Sequence, residues 1–352
     1  MTNPDSGAGA PTVASATIAS ATIASATIAS ALTTAEAAAI IGDPALLSAW
    51  ARYRAAFVVI GIDRLAGAGA ELTPAAGDLD PSVLATALAA HGGPAVVIAA
   101  SAHIDLPYNL ARRALSLDHL TRGRSGVLLG SRDPRGRTTN AWSGAGLGGE
   151  ADLGPETAAD TARALVGLWQ SWPLDSIVGD KESGILVHSD RIRRVDHQGV
   201  TKTAGPLSIP TSDQGTPVLG WYGAGANGGA GDPDFGDFTV LGGLPTSEIV
   251  SATIDQPPGR ARVLAEASAG DLEAAAGLLA AGAHGLLLRT TGGGVPADTA
   301  AHLLGVDLLS RFPDAADPGG ATLRDALGLP PPTDLLTTAA PAFSAPSTRV
   351  YR

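Results

Sequence analysis

Three polar stretches directly follow apolar runs in this chain, and each offers groups that can meet a ligand. Ser101 and His103 follow the run AVVIAAS (95–101). An imidazole there can give or take a proton near neutral pH, although a loop histidine making one hydrogen bond is the plainer role. Ser131 closes VLLGS (127–131), and the turn GAGANGG (223–229) follows PVLGWY (217–222). Backbone N–H groups of such a turn, at Gly223, Gly225, Ala226 and Asn227, can hold a phosphate. In a chain with 45 glycines, however, an ordinary loop looks the same. Arg112, Arg113, Arg122 and Arg124 form a basic cluster in a chain of net charge −11, either a solvated face or an anchor for an anion. His119 in SLDHL and His197 in VDHQG suit structural work, capping carbonyls or pinning a turn. With no cysteine, a disulfide frame, a thiolate metal site and a cysteine nucleophile are excluded, and no metal site is expected.

The elements that must position these groups alternate along the chain. Apolar residues make up 45% of it, enough for a large core, yet aromatics only 4%, so that core must be built from small aliphatics. The acidic balance argues against a nucleic-acid partner. No apolar run reaches the ~18 residues of a membrane span. The N-terminus lacks the basic start of a signal peptide, so a cytoplasmic protein is expected. Residues 1–32 read as a flexible leader carrying three copies of ATIAS (16–30), one of which could serve as an edge or first strand. Helices are expected after an N-cap at Thr34, over 44–55, from an Asp80 cap to Ala90, from Pro107, and over 156–169, 266–281 and 297–309. Strands are expected at 57–62, 95–101, 127–129, 217–222 and 285–290, and 173–204 looks irregular. Strand, amphipathic helix, basic glycine turn and strand between 95 and 129 form a βαβ unit, so the class is α/β. Residues 33–332 make one domain, and 333–352 a tail.

Five segments carry a resemblance: PYNLARRALSLDHLTRGRSG (107–126), LWQSW (168–172), RVDHQG (194–199), GPLSIPTSDQGTPVL (205–219) and ATLRDALGLPPP (321–332). Together they resemble the bacterial luciferase-like, flavin-dependent monooxygenases, nearest the subgroup with nitrilotriacetate, dibenzothiophene-sulfone and pristinamycin-type members. The resemblance runs from Phe57 to Pro332 and implies a TIM-type (β/α)8 barrel. A deletion between Gly231 and Glu266 would leave that barrel trimmed or incomplete. It also implies a two-component enzyme. FMN, reduced by a separate flavin reductase, would react with O2 to a C4a-peroxide that passes one oxygen atom to a small organic substrate. On those terms Ser101, Tyr108, Ser131, Gly223, Gly225, Ala226 and Asn227 contact the flavin, His103 donates a proton, and a homodimer is common. Three positions depart from the family pattern: its asparagine falls on Leu128, its serine on Gly225 and its tyrosine on Pro155. They keep open an alternative, a degenerate, non-catalytic paralogue acting as a flavin-binding or partner subunit.

Overall fold

Strands that are apolar on both faces need cover on both sides, which a parallel sheet wrapped by helices supplies. A computed structural model describes residues 26–65, 79–102, 105–131, 154–223, 236–242, 247–249, 251, 262–291, 293–313, 315 and 320–345. The chain opens with β1 (Thr27–Leu32), α1 (Thr34–Gly42), α2 (Pro44–Arg52), β2 (Phe57–Ile60), α3 (Pro81–Ala89), β3 (Ala95–Ser101), α4 (Pro107–Thr121), β4 (Ser125–Gly130) and α5 (Pro155–Gln170). Two small hairpins follow, β5 (Ile177–Asp180) with β6 (Ile185–Val187) and β7 (Asp196–Gln198) with β8 (Lys202–Ala204). The barrel resumes with β9 (Val218–Gly223), β10 (Phe238–Leu241), β11 (Arg262–Ser268), α6 (Leu272–Ala280), β12 (Gly285–Arg289) and α7 (Pro296–Leu304). Short helices α8 (Leu308–Arg311) and α9 (Leu323–Ala326) complete it.

Eight parallel strands close in the order β1-β12-β11-β10-β9-β4-β3-β2, so this is a TIM-type barrel and it is complete. The expectation of an incomplete barrel is corrected by β10 and β11, which supply the strands between β9 and β12 in the short stretch where a deletion was read. The helix expected over Glu266–Ala281 is likewise replaced by β11 and the shorter α6. An alanine-rich run has no clear period, and Asp271, which accepts the Ala274 N–H, fixes the helix start only after Gly270. Thr27–Leu32, assigned above to the leader, is a fully buried strand that pairs with both β12 and β2. The cap of α1 is Thr33, one residue before the expected Thr34. It forms a reciprocal capping box with Glu36. The expected tail is laid along the barrel through 345. Gln170 bonds Thr333 and Leu335, and the Arg194 N–H donates to the Ala340 carbonyl.

Inside the barrel, small residues (Ala29, Ala31, Ala99) face two aromatic ones. The Phe57 and Phe238 rings lie 5.3 Å apart. Gly220 leaves room for the Phe238 ring, which a Cβ there would meet within 2.6 Å. Between strands and helices a second cluster holds Trp50, Leu115, Trp169 and Trp221.

The bottom of the barrel is where the recognised segments meet. Asp118, fully buried near the end of α4, accepts the Ser125 N–H (3.1 Å) and hydroxyl (2.9 Å), the Gln214 amide (2.6 Å) and the Ser212 hydroxyl. Burial pushes its carboxyl up while those donors pull it down, with burial the larger effect. Gln214 in turn accepts the Arg324 N–H at 3.2 Å, and Arg324 pairs with Asp237 at 2.8 and 3.0 Å. Leu323 and Leu327 then pack against the interior cluster from below.

Two buried groups, Asp118 and Tyr53, can be tested by unfolding. Asp118→Ala strands four buried donors at about 1–3 kcal/mol each, so its urea midpoint falls sharply, whereas Asp118→Asn loses less. Tyr53 is buried, bonded to Ser30 at 2.6 Å, and pushed up from 10.0 to about 12 by burial. A phenol raised in the fold gives stability that is full below pH 10 and lost as pH rises through 12. Tyr53→Phe should therefore flatten the urea-unfolding free energy across that window by roughly 1.4 kcal/mol per pH unit.

Candidate functional site

Barrels of this kind place ligands at the C-terminal ends of their strands. Parity along each strand decides which side chains reach that mouth from within. Ser101 (β3), Gly130 (β4), Tyr222 (β9), Glu266 and Ser268 (β11) and Arg289 (β12) all share the inward parity of the interior cluster. Ser101 is fully buried; its N–H donates to the Asp105 carboxylate (3.3 Å) and its carbonyl accepts the Asp105 N–H (3.0 Å). Ser131 is half-buried just past β4, and Gly223 ends β9 with its carbonyl accepting the Gly242 N–H. These three residues therefore stand on neighbouring strand ends. Tyr108 lies on the first turn of α4 against the outer cluster. His103, Gly225, Ala226 and Asn227 lie outside the described residues. Leu128, the position where an asparagine was expected, is fully buried inside the barrel.

Two side chains of the basic cluster, Arg113 and Arg124, are engaged in structure. Arg113 bonds both Asp80, the cap of α3, and Asp105, while Arg124 donates to the Gly93 carbonyl at 2.8 Å. Arg122 is the helix's left-handed C-cap. His119 bonds the Pro210 carbonyl, and His197 bonds Asp160 at 2.8 Å. Asp160 also accepts the Thr201 N–H and hydroxyl, so the expected structural roles are what the geometry assigns both histidines.

Across the mouth stands a cluster that sequence reasoning missed. The Tyr222 hydroxyl donates to Glu266 Oε2 at 2.6 Å, and Arg289 Nε donates to Glu266 Oε1 at 2.6 Å. The side chains of Glu266 and Arg289 are only 8% and 16% exposed. Burial, and then the Glu266 charge, push the Tyr222 phenol far up. Gly242 leaves the space these groups use, since a Cβ there would come within 2.5 Å of the Tyr222 oxygen. Above them the Ser268 and Thr291 hydroxyls bond at 3.0 Å. The neighbouring Thr290 hydroxyl donates to Glu36 at 2.6 Å and ties β12 to α1. The signal in the sequence was a lone acid in an apolar strand and an arginine at a strand end. Reading 266 as the start of a helix hid the first.

No protein-family model matches the chain. It is 34% identical over 169 residues to a pristinamycin IIA synthase component of Streptomyces pristinaespiralis, covering 47% of this chain and 52% of that protein. It is 34% identical over 147 residues to the dibenzothiophene-sulfone monooxygenase of Rhodococcus erythropolis, 40% of this chain and 31% of that one. The chain thus spans about half or less of the length of these relatives. Among solved structures, riboflavin lyase with modified FMN and riboflavin superposes with a TM-score of 0.62 at 19% identity, over 88% of this chain and 96% of that one, a likeness of fold. The matched proteins are those of the subgroup the motifs pointed to, so the resemblance to luciferase-like monooxygenases holds. Among the described residues no helix is long and apolar enough to cross a membrane.

The cluster makes a spectroscopic prediction. Because the Glu266 charge is the second cause of the Tyr222 shift, Glu266→Gln should lower the pH at which that phenol ionises. An absorbance titration of phenolate formation, compared between parent and variant, checks it.

Proposed function

We propose that this chain is a reduced-flavin-dependent monooxygenase that acts on a small organic molecule in the barrel mouth. The observation that carries this reading is a closed eight-stranded barrel in a chain 34% identical over 147 residues to a dibenzothiophene-sulfone monooxygenase. The described residues fit a flavin in the chemistry of their donors. Ser101, Ser131 and the β9 end at Gly223 offer hydroxyl and backbone groups on one side, and Arg289 a cation on the other. These are the residues that would hold FMN, with His103 as the proton donor. When bound, reduced FMN supplies the electrons with which O2 delivers one oxygen atom to the substrate and releases the other as water. The protein's own task is to orient the partners and exclude water. The apolar interior below the mouth, with Leu65 over Gly130, provides a dry floor for that. A separate flavin reductase would supply the reduced cofactor.

Buried Leu128 favours a second reading, the non-catalytic paralogue, because an apolar side chain there cannot bond a flavin ring. Anaerobic titration of the full chain with oxidised and then reduced FMN, followed by flavin fluorescence and tryptophan quenching, separates the two. Roughly micromolar binding of reduced FMN supports the enzyme. No binding in either redox state at high micromolar FMN overturns it. Binding without oxygen transfer to any tested small organic sulfide, sulfone or amine selects the second reading.

A further inference from the structure

A buried ion pair costs desolvation that apolar residues of similar size would not, so Glu266 and Arg289 call for a reason beyond packing. Their neighbours inside the barrel are apolar or small. The geometry of the pair is also one-sided. Glu266 meets Arg289 only at Nε, because its other oxygen is held by the Tyr222 hydroxyl. Contact at Nε leaves the paired terminal nitrogens, Nη1 and Nη2, without a hydrogen bond to any described residue. The Arg289 side chain as a whole keeps 16% of its surface exposed. The planar fork of N–H donors that a guanidinium presents matches two oxygens of a carboxylate, sulfonate or phosphate. Ser268 is the register partner of Arg289 on β11, and its hydroxyl bonds that of Thr291 at 3.0 Å.

We propose that Arg289 is the anion-binding residue of the barrel mouth. Its terminal fork, oriented by the Tyr222–Glu266–Arg289 chain of hydrogen bonds, takes the oxyanion of a small-molecule ligand, with Ser268 and Thr291 as adjacent donors. Glu266 and Tyr222 act as positioning residues. The assignment rests on the reading of the mouth as the ligand site. Two sources share this chemistry, the phosphate of a flavin mononucleotide and a carboxylate or sulfonate of the substrate.

The test uses the full chain, Arg289→Lys, which keeps the charge but loses the fork, and the double variant Arg289→Met with Glu266→Gln, which strands no carboxylate. Thermal unfolding in inorganic phosphate, methanesulfonate and acetate is compared with chloride at matched ionic strength. Dissociation constants for FMN and riboflavin are measured in parallel. At least one anion should raise the midpoint of the parent and not that of the double variant, and Arg289→Lys should bind that anion about tenfold more weakly. If the double variant does not fold by circular dichroism, Arg289→Lys decides alone. FMN binding tighter than riboflavin, with the difference lost in the variants, names the flavin phosphate as the source. Equal flavin affinities, with acetate or methanesulfonate protection that depends on Arg289, name the substrate. Identical anion responses in parent and variants overturn the assignment even if FMN binds. Arg289-dependent anion protection without any flavin binding keeps it and defeats the flavin reading instead.

Discussion

The buried carboxylate of Asp118 is the constraint around which the lower half of this barrel is assembled. An ionisable group with no solvent contact persists only when its oxygens are supplied with donors. Here those donors come from two separated segments, Ser125 on one side and Ser212 with Gln214 on the other. Gln214 passes the constraint on to Arg324, whose pairing with Asp237 fixes the residues just before β10. One carboxylate thereby sets the relation of the α4–β4 turn, the loop before β9 and the C-terminal segment that closes the barrel from below.

This arrangement explains a division within the molecule. The segments that carry the family resemblance, SLDHL with GRSG, SDQG and TLRD, converge on the N-terminal face, where the residues of such a barrel serve stability rather than reaction. They specify the barrel and say little about the ligand. The mouth, at the opposite end, is lined by groups from strands the motifs do not include, above all Glu266 of β11 and Arg289 of β12. The residues that carry the resemblance and those that carry the charge of the mouth are thus separate sets.

The mouth also shows how a barrel of small residues tolerates charge. Alanines and glycines narrow most of the interior, and two phenylalanines fill it below. Toward the top, Gly242 makes space, and Glu266 finds both its oxygens bonded by groups from two other strands. Local preference alone would not place an acid there. A cross-strand pair satisfies it only once the barrel has closed.

Reading along the chain was enough for the alternation of strands and helices from Phe57 to Ser131, for the helix starts at Asp80 and Pro107, and for the strand ending at Arg289. Each rests on local signals: apolar runs, capping residues and proline at a first turn. The family resemblance was legible for the same reason, since contiguous motifs survive reading in one dimension. Closure of the barrel settled the rest. It made Thr27–Leu32 the closing strand and 262–268 a strand, and it committed Arg113 and Arg124 to Asp80, Asp105 and the Gly93 carbonyl. It also brought Tyr222, Glu266 and Arg289 together. The physical reason is that parallel pairing and inward parity join residues 44 and 23 positions apart, and no local pattern encodes which distant strand will lie alongside.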